Sequence, residues 1–200
     1  MKWIKDIISS DKDAAMLIMT NPGIELLGRS VKDAVTDGEV HYQSINALNE
    51  RFPQAIACTS IMDLTVEAEA FGAEIVMPDD EVPVVTGRLL SSFADVEALK
   101  IPSLTVGRIP EYLNANILTA ENIDNPVSAG CIGPFSLAGR LFDMTESMIA
   151  MYTEPETIEL LLEKCTLFLL EYCKAIKETG VFGLIMAEPA AGLMSNEDCS

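Results

Sequence analysis

Apolar residues along this chain fall into two kinds of run, and their alternation predicts a parallel α/β fold. Short continuous runs mark strands buried on both faces: 14–20 (AAMLIMT), 55–62 (AIACTSIM), 126–133 (PVSAGCIG) and 181–188 (VFGLIMAE). Between them, apolar residues recur at helical spacing. This predicts helices over 24–35, 39–51, 64–71 and 111–122, a helix opened by Pro134, a long helical pair over 144–179, and a short helix at 3–10. The punctuation agrees. Asn21-Pro22-Gly23 turns the chain, Asp37-Gly38 separates two helices, Pro53 ends the second, and Gly72 is placed as a helix C-cap.

Residues 73–110 depart from this rhythm. EIVMP and VPVVTG are strand-like pieces around the turn PDDE, followed by the short helix SSFADVEAL and the proline-bounded loop IPSLTVGRIP. The segment reads as a hairpin inserted between strands of the main sheet. Strands alternating with helical connections imply a parallel sheet. An eight-stranded barrel takes about 250 residues or more, whereas this chain spends 200 on four strands. The expected fold is therefore the N-terminal half of a TIM-type (β/α)₈ barrel. Residues 1–200 would form one partial domain, inactive by itself because half its mouth is absent.

Composition narrows the function. With 31 acidic and 13 basic residues the net charge is −18, which opposes a nucleic-acid partner or an anionic membrane surface. The chain is 49% hydrophobic, enough for a core. Its apolar runs are far too short to span a bilayer, and MKWIKDIISSDKD lacks the apolar core and cleavage site of a signal peptide. A cytoplasmic location is expected. The five cysteines are widely spaced with no CxxC pair, so neither a disulfide framework nor a zinc ribbon is signalled. Cys165 and Cys173 read as small buried hydrophobes.

Parallel α/β folds place chemistry at strand C-termini. There the chain offers Met19, Thr20 and Asn21 at the end of the first strand, Asp63 after the second, Cys131 and Gly133 at the third, and Glu188 at the end of the fourth. Asp63 and Glu188 are the candidate catalytic carboxylates. For Asp63 a helix N-cap is an equal reading. Gly133, in a tight strand-to-helix turn, would allow a ligand close approach. Glu67 lies on the face of Asp63 one turn later, and with Glu69 is expected in surface salt bridges. His41, the single histidine, falls in an exposed-looking helix without a metal-ligand partner. No metal site is complete in this chain.

Four segments in order, DLTVEAEAFGAEI (63–75), GCIGPFSLAGRLF (130–142), MYTEPETIELLLEKCTLFLLEYCKAIKETG (151–180) and MAEPAAGLMSNED (186–198), resemble the uroporphyrinogen decarboxylase superfamily. The resemblance implies a distorted (β/α)₈ barrel. True decarboxylases carry an arginine-rich segment of the type MRQAGRY after strand one, to hold a polycarboxylate porphyrinogen. Here MTNPGIELLG (19–28) stands instead, with no arginine before Arg29. A porphyrinogen lyase of heme biosynthesis is thus the alternative. The chain looks more like the methyltransferase branch, which takes a methyl group from a methylated corrinoid protein to tetrahydrofolate or a thiol such as coenzyme M. In that branch, zinc ligands of thiol-methylating members are expected beyond Ser200. Asp63 aligns with the catalytic aspartate of the decarboxylases; Asn21, Asp63 and Glu188 suit pterin contacts, which tilts the expected acceptor toward tetrahydrofolate. Met19, Asn21, Cys131 and Gly133 are the expected acceptor-binding residues.

Overall fold

The computed structural model describes Lys5, Ser9, residues 15–18 and residues 21–195. The helix expected at 3–10 falls, apart from Lys5 and Ser9, outside the described residues, as do Met19 and Thr20.

Four strands, β1 (Met16–Leu17), β2 (Ala57–Thr59), β5 (Val127–Ile132) and β6 (Gly183–Ala187), form one sheet in the order β1-β2-β5-β6. Every pairing is parallel, with Met16 opposite Ala57, Cys58 opposite Val127 and Cys131 opposite Met186. The inserted segment forms the expected hairpin. Its strands β3 (Glu74–Val76) and β4 (Val84–Thr86) pair antiparallel, with Ile75 opposite Val85.

The stretch 24–35 is not one helix but two, α1 (Asn21–Leu26) and α2 (Val31–Thr36). Gly28 between them takes φ 63°, a left-handed conformation that glycine adopts without strain. Ser30 then restarts the chain with a capping box: its hydroxyl accepts from the Asp33 N–H at 3.0 Å, and Asp33 accepts from the Ser30 N–H at 3.1 Å. Helix α3 (Gly38–Arg51) is capped by Asp37, which accepts from the N–H groups of Glu39 and Val40. Strand β2 is shorter than its apolar run because the chain leaves the ladder early. The N–H of Ile61 donates to His41 Nε2 at 2.8 Å rather than to a neighbouring strand.

The remaining helices are α4 (Val66–Ala70), α5 (Phe93–Ala98), α6 (Ile109–Asn122), α7 (Pro134–Phe142), α8 (Met144–Thr153) and α9 (Pro155–Glu178). A 3₁₀ turn (Pro189–Leu193) follows β6. Helix α9 begins with Pro155 at its first turn and buries Ile158, Leu161, Cys165, Phe168, Leu169, Tyr172 and Ile176. Those positions recur every three or four residues, one stripe along the helix. The stripe packs on Ala129 and Cys131 of β5 and on Val66, Phe71, Leu137 and Leu141 in the principal core. Phe168 meets Phe71 edge-on at 5.0 Å between ring centroids, an arrangement that adds about 1 kcal/mol beyond burial.

Strand β6 departs from expectation. It is not covered on both faces: Phe182, Leu184 and Met186 are exposed, together with Leu167 and Leu170 on the neighbouring border of α9. Among the described residues β6 pairs only with β5.

Candidate functional site

Two carboxylate clusters stand at the C-terminal ends of the parallel strands, joined through the end of β5. The first is built around Asp63. Its Oδ1 accepts from the Thr65 N–H at 2.9 Å and the Thr65 hydroxyl at 2.7 Å, a local turn of the kind short polar side chains make. Its Oδ2 pairs with the Arg108 guanidinium. Arg108 comes from the end of the inserted segment and also donates to Glu69 Oε2 at 2.7 Å and to the Thr65 hydroxyl at 2.8 Å. The side chains of Asp63 and Arg108 are 0% and 6% exposed. Tyr112 of α6 closes the cluster, its hydroxyl 3.4 Å from Asp63 Oδ2. Burial pushes the Tyr112 phenol well above its ordinary range, with the charge of Asp63 adding to the effect.

Glu67 is not a surface residue. It is 2% exposed and sits beneath the end of β5, where Oε1 accepts the Ile132 N–H at 3.1 Å. Its Oε2 is buried without a hydrogen-bond partner. Burial raises its pKa to about 7, against the opposing pull of the Ile132 hydrogen bond. His41 is likewise interior, 1% exposed, and its ring meets Tyr112 edge-on at 4.9 Å. Burial lowers its pKa to about 3, so it remains neutral and accepts the Ile61 N–H on Nε2.

The second cluster is built around Glu188. Its Oε2 accepts the Phe135 N–H at 2.9 Å, and its Oε1 accepts the Ser136 N–H at 2.7 Å together with the Ser136 hydroxyl. Helix α7 has no side-chain cap of its own, because its N-cap is Gly133. Glu188 supplies that cap from the next strand, placing a carboxylate on the positive end of the helix. This explains Gly133 differently from the close approach of a ligand. A Cβ there would lie 2.1 Å from Glu188 Oε2, so the space glycine leaves is filled by the protein's own carboxylate. Gly133→Ala is expected to cost about 1–3 kcal/mol by displacing Glu188 from the helix. In a Glu188→Ala background the same substitution should cost much less. Thermal melts of the four proteins check it, and additive losses would refute the coupling.

The other site candidates separate. Cys131 does not line the mouth. It is 2% exposed and belongs to the core beneath α9, on the face of β5 opposite Gly130. Its thiol is raised by its hydrogen-bonded partner Cys173 and by burial. Asn21 is exposed at the start of α1, close after β1; Met19 lies outside the described residues. Arg108 ties Asp63, Thr65 and Glu69 together in the first cluster, and sequence reasoning missed it. Forty-five positions separate it from Asp63, so the sole signal was a cation in an otherwise uncharged, proline-bounded loop of an acidic chain. Among the described residues, no group of three or more His, Cys, Asp or Glu side chains gathers as metal ligands do. The described residues by themselves do not make up a zinc site.

Comparison with known proteins places this geometry. Methylcobamide:CoM methyltransferase MtbA of Methanosarcina acetivorans is 33% identical over 132 residues, covering 64% of this chain and 39% of that protein. MtaA of Methanosarcina barkeri, of the same printed activity, is 30% identical over 131 residues. A methyltransferase from Methanosarcina mazei superposes with a TM-score of 0.85 at 27% identity, over 94% of this chain and 58% of that one. The matched part thus spans about 39% of the length of the curated relatives. Residues 16–199, which include both carboxylate clusters, match the uroporphyrinogen decarboxylase (URO-D) family, and this chain belongs to it.

Proposed function

We propose that the full-length protein is a methyltransferase that moves a methyl group from a methylated corrinoid protein to a small thiol such as coenzyme M. The likeness to the MtbA and MtaA methylcobamide:CoM methyltransferases carries this reading. The state of Arg108 favours it over a porphyrinogen lyase. A polycarboxylate substrate needs several free cations at once, and Arg108, the buried arginine beside Asp63, is already neutralised by Asp63 and Glu69. Arg29, the first arginine of the chain, is exposed.

The tilt toward tetrahydrofolate rested on Asp63, in the place of the decarboxylases' catalytic aspartate, and on Asn21, Asp63 and Glu188 as residue types suited to pterin contacts. Asp63 and Glu188 are both taken by protein donors, which moves the acceptor toward the thiol. In this reading the two carboxylates brace the mouth and hold the ends of β2, β5 and β6 in register, and Asn21, at the start of α1, remains a candidate acceptor contact. In the reaction, the thiolate sulfur attacks the methyl carbon. The methylated corrinoid would supply the electrophilic methyl group and would leave with both electrons of the broken bond.

The chain further reads as the N-terminal half of a (β/α)₈ barrel over residues 1–200. Its parallel strands follow one another in chain order, and the open edge of β6 and the apolar border around Met186 and Leu170 offer a seat for a following βα unit. Full-length protein given methylcob(III)alamin and 2-mercaptoethanesulfonate is expected to produce cob(I)alamin by absorbance. An unchanged spectrum, or conversion with tetrahydrofolate alone, overturns the thiol reading.

A further inference from the structure

A cleft of about 400 Å³ opens between the hairpin, helix α7 and the 3₁₀ turn after β6. Its walls are mostly apolar or small: Val85, Gly139, Met144, Pro189, Ala190 and Leu193. Three polar side chains also line it, and two are already satisfied. Ser136 donates to Glu188 and accepts the Ala190 N–H at 3.1 Å. Asp143 accepts the N–H groups of Thr145 and Glu146 at the start of α8. The third, Arg140, is half-buried on α7 and makes no hydrogen bond or ion pair with any described residue. The neighbouring Arg88 is engaged, pairing with Glu146 and lying over the Phe142 ring.

An arginine without a counter-ion among the described residues is conspicuous in a chain of net charge −18, because carboxylates are abundant and no described one pairs with it. Asp143 on the same wall is the one non-glycine residue with positive φ among those described, at 77°, a conformation that costs energy and gathers at ligand sites. A cavity of this size suits a small molecule, and a guanidinium is matched to the paired oxygens of a carboxylate, sulfonate or phosphate. The cleft is also lined by Ser136, whose hydroxyl donates to Glu188, and so adjoins the residue that follows β6.

We propose that this cleft binds a small organic anion, its charged group on Arg140 and its stem against Val85, Met144 and Leu193. The methyl acceptor's anionic end is the ligand that the proposed reaction would supply; to that extent the inference rests on the methyltransferase reading.

Calorimetric titration of the full-length protein with 2-mercaptoethanesulfonate, 3-mercaptopropionate and 2-mercaptoethanol tests it. Both anions should bind, and the neutral thiol should bind far more weakly. Arg140→Gln should lower anion affinity about tenfold or more, and Arg140→Lys should restore part of it. Leu193→Asp, at a position 69% exposed, should weaken the anions without touching Arg140. Equal binding of the neutral thiol, or anion affinity unchanged in Arg140→Gln, overturns the site. A lower melting temperature of Arg140→Gln with unchanged affinity also overturns it, making Arg140 a structural partner of another part of the protein. Anion binding that depends on Arg140 without methyl transfer would sink the transfer reading alone. Methyl transfer with affinity indifferent to Arg140 would sink the cleft alone.

Discussion

Arg108→Met is expected to destabilise the protein by about 3–5 kcal/mol, because it strands a carboxylate that has no access to water. The side chain of Asp63 is 0% exposed, and the guanidinium is its only cationic partner among the described residues. Methionine keeps the apolar stem and its packing, so the loss reports the missing charge and the hydrogen bonds to Asp63, Thr65 and Glu69. Neutralising the stranded partner should relieve much of it. The double variant Arg108→Met, Asp63→Asn is expected to recover about half or more of the loss in urea unfolding, since breaking a buried pair costs more than removing both its charges. Glu69 is the lesser partner, its side chain 21% exposed, and Glu69→Gln should cost about 1 kcal/mol or less. A loss for Arg108→Met below that of Glu69→Gln would show that the pair with Asp63 does not hold the segment 63–108 together.

Glu67 should give the protein an unusual dependence on pH. Its carboxyl has an ordinary pKa of 4.5, which burial raises to about 7 in the fold. Between those values the folded chain holds a proton that the unfolded chain has released, so stability falls as pH rises through this window. The contribution is fully present below about pH 4.5 and lost by about pH 7. Its size, from the shift alone, is about 3 kcal/mol. The titratable groups that face Glu67 are Asp63, Arg108, Tyr112, Tyr172 and Cys131. Burial pushes both tyrosines upward, and burial with the Cys173 partner does the same to Cys131, away from the window. Glu67→Gln keeps an oxygen for the Ile132 N–H and removes the proton. Relative to wild type, it should therefore gain about 3 kcal/mol of stability between pH 5 and pH 8, read from urea midpoints at each pH. Parallel stability curves for the two proteins would show that Glu67 does not titrate in this window.

The sheet and helices were legible because their signals are local. The stripe at 158, 161, 165, 168, 172 and 176 is a property of neighbours three and four apart, and the hairpin at 74–86 announced itself by two apolar runs around a polar turn. Even the misread helix at 24–35 had a local reason, a left-handed Gly28 followed by the Ser30–Asp33 capping box. The candidate site was legible only as a list of residues. Asp63 and Glu188 were found by their places at strand ends. Their partners, Arg108 and the N-terminus of α7, lie 45 and about 53 positions away and leave no mark on the residues beside them.

His41 and Glu67 make the division plain. Each is a polar residue in a helical segment, the usual pattern of a solvated face, yet each is enclosed. What encloses them is the departure of the chain from the ladder after β2 and the free N–H groups this leaves at Ile61 and Ile132, which their side chains satisfy. Hydrophobic periodicity and turn chemistry thus sufficed to set the order of elements and the parallel sheet, since these depend on short-range pattern, and the family was legible only from the four segments at 63–75, 130–142, 151–180 and 186–198 that resemble it. Whether a carboxylate is free to act, braces a strand end or caps a neighbouring helix depends on which groups meet across long stretches of chain. Only the packed structure brings them within hydrogen-bonding distance, and there Asp63 and Glu188 are held by the protein while Arg140 meets no partner among the described residues.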